Sequence, residues 1–302
     1  MKKKLFAALV ILGGSNVFAQ DLTSSKGESI LPEVNDWAIG FDASSVFSAI
    51  GGMFSNNSSN NTNLNWLSQE QTFVGKKFID KKQAYRLILK FGFLYETEKN
   101  IVTKDNGAVV NFPTPQEKVE DKRSKSGSSI MIGFGKEFRK GNTRLQGYYG
   151  ADALIWLSTA KTSYSYGNEF NTTNNVLPTS TNFDSVTTIG YYSSPVSIRL
   201  LENKSGLGFG IGVRGFVGAE YFFLPKISLG LEYGWGLGFQ TKGAGKAIEQ
   251  KIDGSPAVVG SVYSPTPSSS KFGFDNDMNN GKILGFRGNN NGNASLKLTF
   301  VF

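Results

Sequence analysis

Nine ionisable residues fall on the polar side of segments that alternate apolar and polar: Arg86, Lys90, Arg144, Arg214 and Lys297, with Glu137, Asp152, Glu220 and Glu232. Five cations and four anions nearly cancel. Gathered in a narrow interior, they would make either a guarded ion path or a salt-bridged polar core. An unpaired charge there would be costly, so pairing is expected. Catalysis has fewer carriers. The 302 residues hold no His and no Cys. That removes the Ser-His-Asp triad, imidazole acid–base chemistry, the thiolate nucleophile, disulfides and Cys- or His-ligated metals. Ser and Lys abound, but no Ser–Lys pair stands out at a shared position. The expectation is a non-catalytic protein with no cofactor and no metal site.

Two motifs bear on that expectation. Gly210-Ile211-Gly212-Val213-Arg214-Gly215 has dinucleotide-turn spacing. That turn needs a strand before it and a helix after it. Here it sits inside an alternating segment, and its glycines read as room for Arg214 and nearby rings. Asp275-Asn276-Asp277-Met278-Asn279 matches a calcium loop at its first three ligand positions, but the sixth is Asn280 and the twelfth Phe286. Gly and Glu are needed there, so the stretch reads as a solvated Asn-rich loop.

The elements that would position the charges are strands. In Ile227–Gln240, Ile227, Leu229, Leu231, Tyr233, Trp235, Leu237 and Phe239 share one face, opposite Ser228, Gly230, Glu232, Gly234, Gly236, Gly238 and Gln240. Seven large apolar residues at period 2 put a long greasy stripe on one side of a strand. Glycine and charge opposite fit lipid outside and a crowded polar lumen inside. Tyr85–Glu96, Leu207–Tyr221, Ile130–Phe138, Leu145–Leu157, Trp37–Ala49, Trp66–Ile79 and Leu296–Phe302 make eight strands in all. The lipid face would carry Trp37, Tyr85, Phe91, Phe93, Tyr233, Trp235 and Phe239. The 36 glycines and 24 phenylalanines suit this arrangement.

Connection lengths alternate. Asp80–Gln83, Arg139–Thr143 and Phe223–Lys226 are short; 51–65, 99–125, 158–205 and 241–293 are long. That alternation predicts an all-β fold: a transmembrane antiparallel up-and-down β-barrel with short periplasmic turns and long extracellular loops. Hairpin candidates Thr187–Tyr192 and Val196–Leu201 leave ten strands as the alternative. The loops are rich in Asn, as in 55–65 and 288–293.

The N-terminus reads as an address. Lys2-Lys3-Lys4 precedes the apolar run Leu5–Leu12, and Val17-Phe18-Ala19 fits a signal-peptidase site. Residues 1–19 would be a signal peptide, 20–36 a periplasmic lead-in and 37–302 the barrel domain. Loss of three lysines lowers the formal charge from +8 to +5, too mild for nucleic acid.

Three stretches carry a family resemblance. Leu296, Leu298, Phe300 and Phe302 alternate up to an aromatic carboxy-terminus. The run 218–232 has a strand–turn–strand pattern, and Gln146–Asp152 echoes it. Over 37–302 the chain resembles the small outer-membrane β-barrel proteins of Gram-negative Bacteroidota. The resemblance implies an outer-membrane, cell-envelope location and assembly by the barrel machinery, with Leu296, Leu298, Phe300 and Phe302 as its signal. It implies a membrane anchor displaying surface loops, or an accessory subunit of a larger outer-membrane complex. The alternative is a narrow porin-like pore. Outer-membrane lipid and a loop-bound extracellular ligand would be partners. Asp184-Ser185-Val186 resembles the O-glycosylation acceptor of that phylum.

Overall fold

A computed structural model describes residues 22–43, 71–105, 116–170, 178–183, 198–253, 258–276 and 295–302. Among these residues there are twelve strands and no helix: β1 (Trp37–Asp42), β2 (Gln71–Asp80), β3 (Gln83–Thr103), β4 (Lys118–Lys140), β5 (Leu145–Ser165), β6 (Ile198–Lys204), β7 (Gly208–Leu224), β8 (Ile227–Lys242), β9 (Gly245–Asp253), β10 (Val258–Thr266), β11 (Ser269–Asn276) and β12 (Ser295–Val301). All pairings are antiparallel.

Eight strands close a ring in the order β1-β2-β3-β4-β5-β7-β8-β12, with β12 returning to β1. The other four extend it. β6 pairs with the far part of β5 and β7 with the near part, so β6 and β7 run in line. β9 continues β8 in the same way. β11 meets β8 as far as Asn276↔Trp235, and β12 takes over at Ser295↔Glu232. Residues 198–201 of the Val196–Leu201 candidate therefore lie in β6, in line with β7, and add no strand to the ring; 196 and 197 lie outside the described residues. Thr187–Tyr192 lies outside the described residues, as do 1–19, 51–65, Asp184-Ser185-Val186, Asp277 and 288–293.

Register fixes the geometry of closure. Ala38 leads across the strands through Lys76, Arg86, Gly135, Asp152 and Arg214 to Gly236. The other way, Ala38 pairs with Val301, whose N–H bonds Lys226 O. The two routes meet β8 ten residues apart. Ten residues are ~33 Å of strand against ~38 Å for eight spacings. The strands therefore lean by about 40°, the usual tilt of a closed sheet.

The three short turns lie together at one end, here the lower. Residues 22–36 are more than a lead-in, because they strap across that end. Ile30 O accepts from Lys226 N at 3.1 Å, Asn35 N donates to Phe78 O, and Phe78 N donates to Asp36 O. Lys226 Nζ lies 2.9 Å from Asp36 Oδ2. Ile30 is buried with Ala38, Phe78, Ala84, Phe222 and Val301 as an apolar floor.

The described parts of the expected connections 99–125, 158–205 and 241–293 are largely strand. β3 and β4 stay paired from Gln83↔Phe138 to Thr103↔Lys118, and β5 follows β4 out to Ser165. The segment 241–293 contains β9, β10 and β11. Beyond Leu157 and Ile130 both faces turn polar, so alternation no longer marks a strand.

Candidate functional site

The inward face of the ring gathers charge from seven of its eight strands. Lys76, Arg86, Glu137, Arg139, Asp152, Arg214, Glu220, Glu232 and Lys297 are all buried. Glycines make the room. A methyl at Gly218 would overlap the Tyr148 ring, one at Gly234 the Arg214 guanidinium, and one at Gly210 the Trp156 indole. That accounts for Gly210 and Arg214 in the dinucleotide-like motif, which continues as strand β7.

Two linked groups make up the cluster. In the upper one, Glu232 receives Arg86 at 2.9 and 3.2 Å, Arg214 at 2.9 Å and Lys297 at 2.6 Å. Asp152 lies 3.3 Å from Arg214 and 3.5 Å from Arg86. In the lower one, Glu137 takes Lys76 at 2.9 Å, Arg139 at 2.8 Å and Arg86 at 3.3 Å. Glu220 pairs with Arg139 and accepts from Ser228 Oγ. Rings fill the remainder: the Arg86 guanidinium lies 3.8 Å from the Phe216 centroid, and Lys76 Nζ lies 4.8 Å from that of Tyr148.

Of the residues expected inside, Arg86, Glu137, Asp152, Arg214, Glu220, Glu232 and Lys297 meet in this network. Lys90 is buried on the same face, but Ile88 separates it from Arg86 along β3. Arg144 is a correction. It sits at the lower rim, with Nη1 3.4 and 3.3 Å from the carbonyls of Phe222 and Phe223. It belongs to the turn before β5, where parity no longer applies. Sequence reasoning missed Lys76 and Arg139. Arg139 shares the parity of Glu137 but reads as the start of a turn. Lys76 lies in the least regular segment, where Phe73, Val74 and Phe78 blur the faces.

Above the charges, Val74, Ile88, Met131, Leu154 and Trp156 form a second apolar layer. The charged layer is thus held between that ceiling and the Ile30–Phe78–Phe222 floor. Each of its four carboxylates has at least two cationic partners; those of Glu220 are Arg139, close, and Lys76 at 3.7 Å. No group of three or more metal-ligating side chains occurs among the described residues. The arrangement suits a rigid polar core.

A second polar centre lies beyond the ring. Asp121 is fully buried and accepts from Gly167 N at 2.9 Å and Thr181 N at 2.6 Å. Asn168 accepts from Asp105 N and donates to Thr103 O and Thr179 O. Arg199 donates to Asn168 O and Gln250 Oε1, with its guanidinium 4.4 Å from the Tyr166 centroid. These contacts fasten 166–170 and 178–183 to the strand extensions.

No protein-family model matches the chain, and no curated protein matches it either.

Proposed function

We propose that this chain is an integral outer-membrane β-barrel that conducts nothing and carries a stiff β-wall above the bilayer. It is a membrane anchor for that wall, acting through a partner or ligand outside the cell. One observation carries the reading. The outward stripes are mostly apolar and exposed up to Ile130 on β4 and Leu157 on β5, then become Ser128, Ser126 and Ser124, and Thr159, Lys161 and Ser163, while both strands run on unbroken. A water-exposed sheet has no reason to change chemistry at one height on neighbouring strands. A lipid boundary does.

The lower edge supports the same reading. Lys77 Nζ lies 4.8 Å from the Trp37 ring, and Lys136 Nζ lies 5.1 Å from that of Phe138. Lysines that lay their stems on aromatics suit an interface, with the ammonium reaching for water. Leu87, Ile132, Phe134, Ile155, Val213 and Leu231, each exposed by more than half, would be a severe liability in a soluble protein.

Two apolar layers and a paired charge layer argue against an open path, and a ring of eight has little room beyond its own side chains. The strands β3 and β4 run ten residues past Ser128, ~33 Å, which sets the reach of the wall. The test is refolding into lipid vesicles followed by planar-bilayer recording. A heat-modifiable, carbonate-resistant and electrically silent protein is expected. Stable channels would favour the porin-like alternative, and a chain that stays monodisperse without detergent would end the membrane reading.

A further inference from the structure

Resting on the membrane reading above, we propose that the outward row Lys161–Lys204–Lys246 binds the phosphorylated headgroup of a lipid in the leaflet around the upper edge of the ring. These lysines stand directly opposite one another on β5, β6 and β9, in the registers Lys161↔Lys204 and Lys204↔Lys246. Like charges set opposite across strands destabilise a sheet. A single acid partly offsets them. Glu202 lies 2.9 Å from Lys161 Nζ and 2.9 Å from Lys246 Nζ. Two of the three cations share one carboxylate, and the exposed Lys204 lies between them.

The row's position selects the partner. Lys161 has the parity of Leu157 and Thr159 and stands four residues beyond Leu157 on the same face, ~13 Å along a leaning strand. In the link between β6 and β7, Leu207 is exposed three residues from Lys204. Tyr95 is 74% exposed and aligned with the row through Ser126↔Lys161. An apolar band, then hydroxyls, then clustered lysines with an aromatic in register is the order in which a lipid presents acyl chain, interface and phosphate. Long lysine stems can bend down to that level. The net +2 of the row with Glu202 matches a phosphate-bearing headgroup, and the stiff sheet holds the lysines ready for it.

The experiment uses the full chain refolded in neutral detergent. Native mass spectrometry counts bound diphosphorylated glucosamine lipid, with phosphatidylcholine as the uncharged comparison and inorganic pyrophosphate as the free-anion arm. Wild type should retain the phosphorylated lipid over phosphatidylcholine. Lys204→Gln should weaken it about fivefold and Lys161→Gln/Lys204→Gln further, at about a fivefold loss per lysine. Lys26→Gln, at the opposite end, should leave it unchanged. Equal retention by wild type and the double variant overturns the proposal, as does pyrophosphate binding with no lipid preference. Either of these results leaves the membrane reading intact when vesicle insertion is normal, whereas failure to insert sinks the two together.

Discussion

Arg86 on β3 and Glu232 on β8 meet across the ring in a double hydrogen bond, Nη1 to Oε2 at 2.9 Å and Nη2 to Oε1 at 3.2 Å. They are 146 residues apart, so the pair forms only when the far sides of the ring have come together. Glu232 also holds Arg214 and Lys297. Glu232→Gln would leave three buried cations short of a charge, a loss of about 3–5 kcal/mol. Glu98→Gln, at the exposed pair with Arg123, should cost about 0–1 kcal/mol. Urea midpoints in detergent measure both. Adding Lys297→Gln to Glu232→Gln should restore part of the loss; no recovery would mean that charge balance is not what Glu232 supplies.

The lipid boundary makes a paired prediction. Leu231 is 55% exposed in the middle of the β8 stripe, while Thr159 lies one outward position beyond Leu157. Leu231→Arg should cost about 2–4 kcal/mol in bilayers and Thr159→Arg about 0–1 kcal/mol. Equal folding yields in vesicles would remove the boundary from between Leu157 and Thr159.

How much of this was legible follows from contrast between faces. Where one face is greasy and the other small or charged, as on β7 and β8, the alternation locates strand, parity and the inward Arg214, Glu220 and Glu232. Where both faces are polar, as in Ser124–Ser129 on β4 and Thr159–Ser165 on β5, the same backbone leaves no periodic mark, and the wall reads as loop. The strap was hidden for another reason. Ile30 is one of four scattered apolar residues in a polar stretch, with Leu22, Leu31 and Val34, and its role depends on Phe78, Phe222 and Val301, none of them near it in sequence.

That strap should be energetic, not ornamental. Ile30 is 1% exposed, and Ile30→Ala removes most of a side chain that the floor cannot close around. A loss of about 2–5 kcal/mol is expected, read from thermal unfolding in micelles. The neighbouring Leu31→Ala, only partly buried, should cost less.

Acid should loosen the wall near β6. Hydrogen bonds from Lys246 and then Lys161 hold the Glu202 carboxyl below its ordinary value. A depressed carboxylate adds stability that is complete above the unfolded pKa, about 4.3, and is lost as pH falls through the folded one. The protection of the Asn203 and Ala247 amides relative to their intrinsic exchange rates should therefore fall as pH drops below about 4, and Glu202→Gln should abolish that fall. A pH-independent protection factor in the wild type would contradict the pairing.

The carboxy-terminal residue closes the seam. Phe302 N donates to Trp37 O at 2.8 Å, and Trp37 N donates to Phe302 O at 3.0 Å, so the last residue joins the first ring strand. Its ring is 68% exposed on the outside, where burial in the protein contributes little. Deleting Phe302 removes both bonds at the place where the ring must shut, and the terminal aromatic that the assembly machinery is expected to read. The two roles separate by experiment. Phe302→Ala keeps the backbone bonds, so it should refold in detergent with near-normal yield yet fall in outer-membrane abundance in cells. The deletion should lower both. Normal cellular levels for Phe302→Ala would leave the residue with its seam bonds alone.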